Sequence, residues 1–149
     1  MIITSPSFEN GAAIPKKFTC DGGDINPEFQ IQNVPTGTES LALMVHDPDA
    51  PIAEGFTHWL VWNIDPRTVL IKEESVPPGA SEGANGAGAV RYMGPCPSHG
   101  PVMHHYHFRL FALDAPLGLS EGADRAAFVS AITGHILAES ELVGTYARG

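Results

Sequence analysis

Two groups of side chains in this 149-residue chain have types and spacing suited to chemistry. The first is the run Asp47-Pro48-Asp49-Ala50-Pro51, followed by His58. Proline fixes its own φ and pushes the preceding residue towards extended geometry, so Asp47 and Ala50 are held non-helical and both carboxylates are presented by a stiff turn. The same pattern can also be an Asx-turn whose aspartates only cap their own backbone. His58 alone on an apolar strand reads as a hydrogen-bonded core residue. Beside Asp47 or Asp49 it would instead be held in one tautomer and favoured as imidazolium, ready to receive an anion.

The second group is the stretch GPCPSHGPVMHHYHF. Four of the seven histidines (His99, His104, His105 and His107) fall within it, with Tyr106 among them. On a strand His104 and Tyr106 point the same way, so a phenol and an imidazole could donate to one oxyanion, while Gly94 and Gly100 would let backbone approach a ligand. Two rival chemistries use the same residues. His105-x-His107 has the spacing by which a strand offers two imidazoles to zinc, with His99 or Cys96 to complete the set, yet no third ligand has a diagnostic spacing and no metal is assigned. The CPSHG segment resembles a nucleophile elbow only in part, since Cys96 stands where that motif needs glycine, and no catalytic residue is assigned. A solvated, histidine-rich strand end without a ligand is the plain alternative.

Such groups need elements to position them. The runs ESLALMVHD, FTHWLVWNI and HHYHFRLFALD carry the apolar patterning of strands, the second apolar enough to be covered on both sides. In the second, simple alternation places His58 on one face with Phe56, Leu60 and Trp62. FQIQNV and TVLIKE are weaker strand candidates. A helix is expected between about Asp124 and Glu139, where Phe128, Ile132 and Ile136 recur at four-residue spacing, followed by a short final strand in LVGTYAR. Residues Pro77 to Pro101 hold eleven Gly or Pro residues in twenty-five, which predicts a long loop of the kind that is usually functional or mobile.

Composition bounds the partners. A chain of this length suits one domain spanning residues 1–149, burying about 70% of its unfolded surface, and the many Gly and Pro point to a β-rich fold. A net charge of -9 with eight Lys and Arg disfavours a nucleic-acid partner or an anionic membrane surface. No segment has the make-up of a signal peptide or a membrane span, so a cytoplasmic location without stable membrane insertion is expected. Cys20 and Cys96 lie far apart with neither redox nor metal spacing, and in a reducing compartment free thiols are expected.

Taken together, DPDAP, HWLVWNI and GPCPSHGPVMHHYHFRLFALD resemble the signature blocks of the phosphatidylethanolamine-binding protein family, and more closely its bacterial and archaeal Raf-kinase-inhibitor-like branch. FTCDGGDINPEF near the start and GHILAESELVGTY near the end are similar to that branch as well, so the resemblance covers almost the whole chain. It implies a mostly β fold with few helices: a central antiparallel sheet, a smaller flanking sheet, one substantial helix near the C-terminus, and an anion pocket at one end of the sheet. The pocket residues it implies are Asp47, Asp49, His58, Gly94, Pro95, His104 and Tyr106. In that arrangement His58 and Tyr106 donate to the anion, an aspartate orients and charges His58, and loop N–H groups complete the cradle. His46, Gln32, Ser98, His105 and the added length of GPVM depart from the family pattern. The last residue follows soon after the GTY strand, which leads to the expectation of a wide pocket mouth.

The function this implies is non-enzymatic binding of an anionic or phosphorylated small group, on a phospholipid head, a nucleotide or a phosphoprotein, with no cofactor. Kinase or protease modulation and a homodimer are implied by the resemblance alone. The alternatives are a small-molecule hydrolase or isomerase built on the Asp/His/Tyr set, and a dimeric interaction module with a vestigial pocket.

Overall fold

The computed structural model describes all residues from Met1 to Gly149. Eight strands and one α-helix follow one another along the chain: β1 (Ile2–Thr4), β2 (Phe29–Gln32), β3 (Ser40–Asp47), β4 (Phe56–Ile64), β5 (Leu70–Ile71), β6 (Ser81–Glu82), β7 (His104–Leu113), α1 (Arg125–Ile132) and β8 (Ile136–Tyr146). Five of them form the central antiparallel sheet in the order β6-β4-β3-β7-β8, and β1-β2-β5 form a smaller antiparallel sheet. The three long apolar runs of the sequence are β3, β4 and β7, and they lie at the centre.

The sheet buries both faces because its strands carry apolar side chains on both. Leu41, Leu43, Val45, Trp59, Val61, Phe108 and Leu110 face the small sheet and pack with Phe29 and Ile31. Ala42, Met44, Leu60, Trp62, Phe111 and Leu113 face the other way, against Phe128 and Ile132 of α1. Each of these large side chains contributes about 1.5–3 kcal/mol through burial, which ties the three-layer arrangement to the strand alternation.

The helix is shorter than its periodicity suggests. Asp124 caps it by accepting from the Ala127 N–H at 2.9 Å, but it ends at Ile132, and Gly134 follows at φ +85°. A residue type free to adopt that conformation just past the last turn stops a helix. Ile136, the third member of the apolar stripe, is instead the first residue of β8 and pairs with Leu113. The final strand is accordingly eleven residues long rather than the short LVGTYAR segment expected. The Gly- and Pro-rich stretch is a loop apart from the two-residue β6, which pairs with β4.

The cysteines correct the expectation of free thiols. Cys20 and Cys96 form a disulfide with their Cα atoms 5.4 Å apart. Sequence spacing could not show it, because the contact is made by folding. The Cys20 N–H donates to the Pro95 carbonyl at 3.2 Å, and Gly94 packs so closely on Phe18 that a Cβ there would run into the Phe18 carbonyl. Disulfides persist where the surroundings are oxidising, so the cysteines lend no support to a cytoplasmic location. No helix is long and apolar enough to cross a membrane.

Candidate functional site

At the end of the central sheet, where β3 leaves for the DPDAP turn and β7 enters, lies a cavity of about 280 Å3. An irregularity in β4 builds it. Val45 pairs with Trp59 and His46 with Thr57, so His58 is an extra residue with no partner across the ladder. Such a β-bulge shifts the alternation by one. Simple alternation would put His58 beside Leu60 and Trp62 on the helix side; the bulge turns it to the opposite face, where it lines the cavity with Phe56, His104 and Tyr106. The ring of His58 meets Tyr106 edge-on at 5.2 Å and Phe56 at 4.9 Å, while His104 stacks on Tyr106 at 6.4 Å.

Asp47, His58, Gly94, His104 and Tyr106, five of the seven expected pocket residues, line this cavity. Asp49 and Pro95 stand behind it. Asp49 accepts from both the backbone N–H and the Nδ1 of His105 at 2.8 Å. Burial works to raise its pKa, but the His105 hydrogen bonds outweigh that and hold its carboxyl below the usual range. The Pro95 carbonyl faces Cys20. Gly94 contributes its surface, but its N–H donates to Asp24 Oδ1 at 2.7 Å and is not free to cradle a ligand.

The partnership of aspartate and histidine also differs from expectation. Asp47, not Asp49, is the buried carboxylate of the cavity. It contacts His104 Nδ1 at 2.7 Å through one oxygen and accepts from the Asp49 N–H at 2.8 Å through the other. Asp47 therefore makes the Asx-turn contact and lines the cavity at the same time. His58 has a different anchor: its Nδ1 donates to the Met93 carbonyl at 2.7 Å. Burial pushes the His58 pKa below its ordinary value, against the pull of that carbonyl and of Asp47. His58 is thus favoured as the neutral imidazole rather than as the imidazolium the sequence suggests. Tyr106 is pushed the other way by burial and stays a phenol, a hydrogen-bond donor.

His58 and His104 each use one ring nitrogen within the protein. The Nε2 atom of each, like the Tyr106 hydroxyl, has no protein partner and is not sealed away. The remaining walls are Ala50, Pro51, Ile52, Met93, Cys96, Pro97 and Ser98. Sequence reasoning missed most of these. The apolar Pro51-Ile52 pair directly after the two aspartates was the available signal for a wall, whereas nothing local marks Met93 or Asp24. His105 and His107, the pair offered to zinc in one reading, turn to different carboxylates, Asp49 and Glu141.

Comparison with known proteins decides the family. The sequence profile described as phosphatidylethanolamine-binding protein matches residues 4–147. The chain belongs to the phosphatidylethanolamine-binding protein family. A UPF0098 protein of Pyrococcus horikoshii is 43% identical over 150 residues, covering 97% of this chain and 75% of the relative. One from Aquifex aeolicus is 44% identical over 153 residues, covering 99% and 89%. Among solved structures, a phosphatidylethanolamine-binding protein homolog of Chlamydia trachomatis matches with a TM-score of 0.92 at 37% identity, covering 99% of this chain and 97% of that one. The fold alone extends to a carboxypeptidase Y inhibitor solved with its cognate proteinase, at a TM-score of 0.63 and 16% identity. The central sheet, the small flanking sheet and the helix near the C-terminus are those of the family, as the sequence blocks imply.

Proposed function

We propose that this family member is a non-enzymatic binding protein whose cavity at the sheet end receives a small anionic group of the phosphate or carboxylate kind. The observation that carries this reading is the convergence of three side-chain groups without protein partners, His58 Nε2, His104 Nε2 and the Tyr106 hydroxyl, on one cavity. Buried polar groups are normally satisfied within the fold, and groups left open together are the ones a ligand satisfies. Apolar walls at Pro51, Ile52, Phe56 and Pro97 suit an anionic head carried on an apolar stem. Ile52 is 56% exposed, and Val102 and Met103, at 68% and 52%, lie just before His104. A phospholipid head, a nucleotide or a phosphorylated side chain all present that chemistry.

Titration of the histidine ring NMR signals with phosphoethanolamine tests the reading. Saturable shifts are expected at His58 and His104 and not at His135, which pairs with Asp114 on another part of the surface. Tyr106→Phe is expected to weaken binding about tenfold, the value of one hydrogen bond to a charged group. Flat titrations at His58 and His104 would remove the proposal.

A further inference from the structure

Across the sheet from the cavity lies a second pocket, lined by arginine. Neighbouring residues of a strand point to opposite faces, so Asp47 turns to the first cavity and His46 to the helix side. There the β3–β7 register sets Met44 opposite Arg109 and His46 opposite His107, and the β7–β8 register sets Arg109 opposite Glu141. Pro48 of the turn and Arg125, the first residue of α1, complete the lining of a space of about 230 Å3.

The chain is poor in basic residues, and its arginines are otherwise spent on carboxylates. Arg67 pairs with Asp65, Arg91 with Asp24, Arg109 with Glu139 and Arg148 with Asp21. Arg125 is the exception and has no carboxylate partner. The adjacent Asp124 is turned to the helix, where it caps the Ala127 N–H at 2.9 Å. The Arg125 Nε is buried without a hydrogen-bond partner, so part of the charge is taken out of water with nothing in the fold to balance it.

The rest of the pocket wall is already braced. Arg109 reaches Glu139 at 2.8 Å, lies 3.8 Å from Glu141 and covers the Phe111 ring at 5.1 Å. His107 Nδ1 meets the same Glu141 carboxylate at 3.2 Å. Glu141 is the one carboxylate lining the pocket, and two guanidinium groups stand against it, which leaves the positive charge of Arg125 in excess.

We propose that this pocket is a separate, arginine-based site for a small oxyanion, a carboxylate or a phosphate, seated on Arg125 and flanked by Arg109 and His107. The planar fork of a guanidinium holds two oxygens of such a group at once, and Met44 and Pro48 supply apolar contact beside it. The site shares no lining residue with the sheet-end cavity, so it stands or falls apart from the reading of that cavity.

Titration of the histidine ring NMR signals with inorganic phosphate, at constant ionic strength and about pH 8, tests the proposal, because each pocket has its own reporters. Saturable shifts are expected at His46 and His107. In Arg125→Gln that binding should weaken at least about tenfold, while any response of His58 and His104 stays as in the wild type. Glu141→Gln removes the carboxylate that opposes an incoming anion and should tighten binding at His107 by roughly two- to fivefold. An arginine that only packs against the turn would produce neither change. Flat titrations at His46 and His107, shifts there that persist unchanged in Arg125→Gln, or binding that does not tighten in Glu141→Gln would overturn the site, whatever His58 and His104 do.

Discussion

Two walls enclose the cavity, and they are held in different ways. The turn from Pro48 to Gly55 is secured by short-range hydrogen bonds and by a neighbouring strand. Asp47 accepts from the Asp49 N–H, and His105 binds Asp49 from β7. Behind the sheet, His46 Nε2 donates to the Glu54 carbonyl at 2.7 Å while its Nδ1 accepts from the Thr57 hydroxyl at 3.1 Å. The facing wall, Met93 to Ser98, has no regular structure and is tied to residues far away in the chain. The disulfide joins it to Cys20, Asp24 receives the Gly94 N–H, and Arg148 reaches the Pro97 carbonyl from the C-terminal end at 3.5 Å. One wall is a local motif propped by a histidine; the other is a loop fastened by long-range ties. His46 and His58 mark the same contrast at single residues. Both are buried, yet His46 spends both nitrogens inside the protein and His58 only one.

Breaking the long-range tie should have the largest effect. The disulfide spans a sequence separation of 76 residues, and removing a cross-link of that reach costs about 4 kcal/mol by the chain-entropy account. Thermal or denaturant unfolding of Cys20→Ser, compared with the oxidised protein, measures it. A loss under about 1 kcal/mol would mean that the cross-link does little to restrict the unfolded chain. Thiol titration of the purified protein supplies a control, since no free thiol is expected before reduction.

The brace of the other wall comes next. His46→Ala leaves the Thr57 hydroxyl and the Glu54 carbonyl without their partner, and both hydrogen bonds have buried surroundings on the His46 side. Losing two partners at once is expected to cost about 2–3 kcal/mol. Tyr106→Phe, by contrast, removes a hydroxyl that no protein group uses, so its stability cost should stay within about 0.5 kcal/mol. A large destabilisation by Tyr106→Phe would make that residue part of the frame and not of the open site.

The same contrast separates what was legible in the sequence from what was not. The DPDAP wall is written in consecutive residues: two prolines fix the turn, and the strand patterns on either side locate it. His104 and Tyr106 were placed on one face correctly because β7 pairs with β8 without a bulge through them. His58 was assigned to the cavity through the family resemblance, while alternation alone put it on the wrong face; the β4 bulge that re-aims it depends on pairing with β3 and leaves no local mark. For the same reason the sequence paired His58 with an aspartate without choosing between Asp47 and Asp49, whereas Asp47 meets His104, a closeness that follows from the β3–β7 register. The disulfide and the Asp24 contact are products of tertiary folding alone. The helix end, however, was legible: Gly134 directly follows the last helical turn, and the apolar stripe was followed past it.

The smallest expected effect is on pH dependence, and it falls unequally on the two walls. Burial pushes the His46 pKa below its ordinary value, and the nearby Arg125 and His107 add to the shift against the Glu54 carbonyl and Asp47. A histidine whose pKa is lower folded than unfolded binds fewer protons in the native state over the interval between the two values. Stability therefore rises with pH across that interval and falls on acidification from about pH 6.5 down to the folded pKa. His58 is lowered in the same direction, so both residues contribute to the loss of global stability. Their local consequences differ. Protonated His58 still donates Nδ1–H to the Met93 carbonyl, so its wall keeps the bond. Protonated His46 turns Nδ1 from an acceptor into a donor, and the Thr57 hydroxyl must reorient to accept. Amide hydrogen exchange, corrected for its intrinsic pH dependence, should show the turn around Glu54 and Gly55 losing protection below about pH 6.5 before the Met93–Gly94 segment does. In His46→Ala the fall of melting temperature with acidification should be shallower. Equal loss of protection at both walls would mean that His46 does not act as a separate brace.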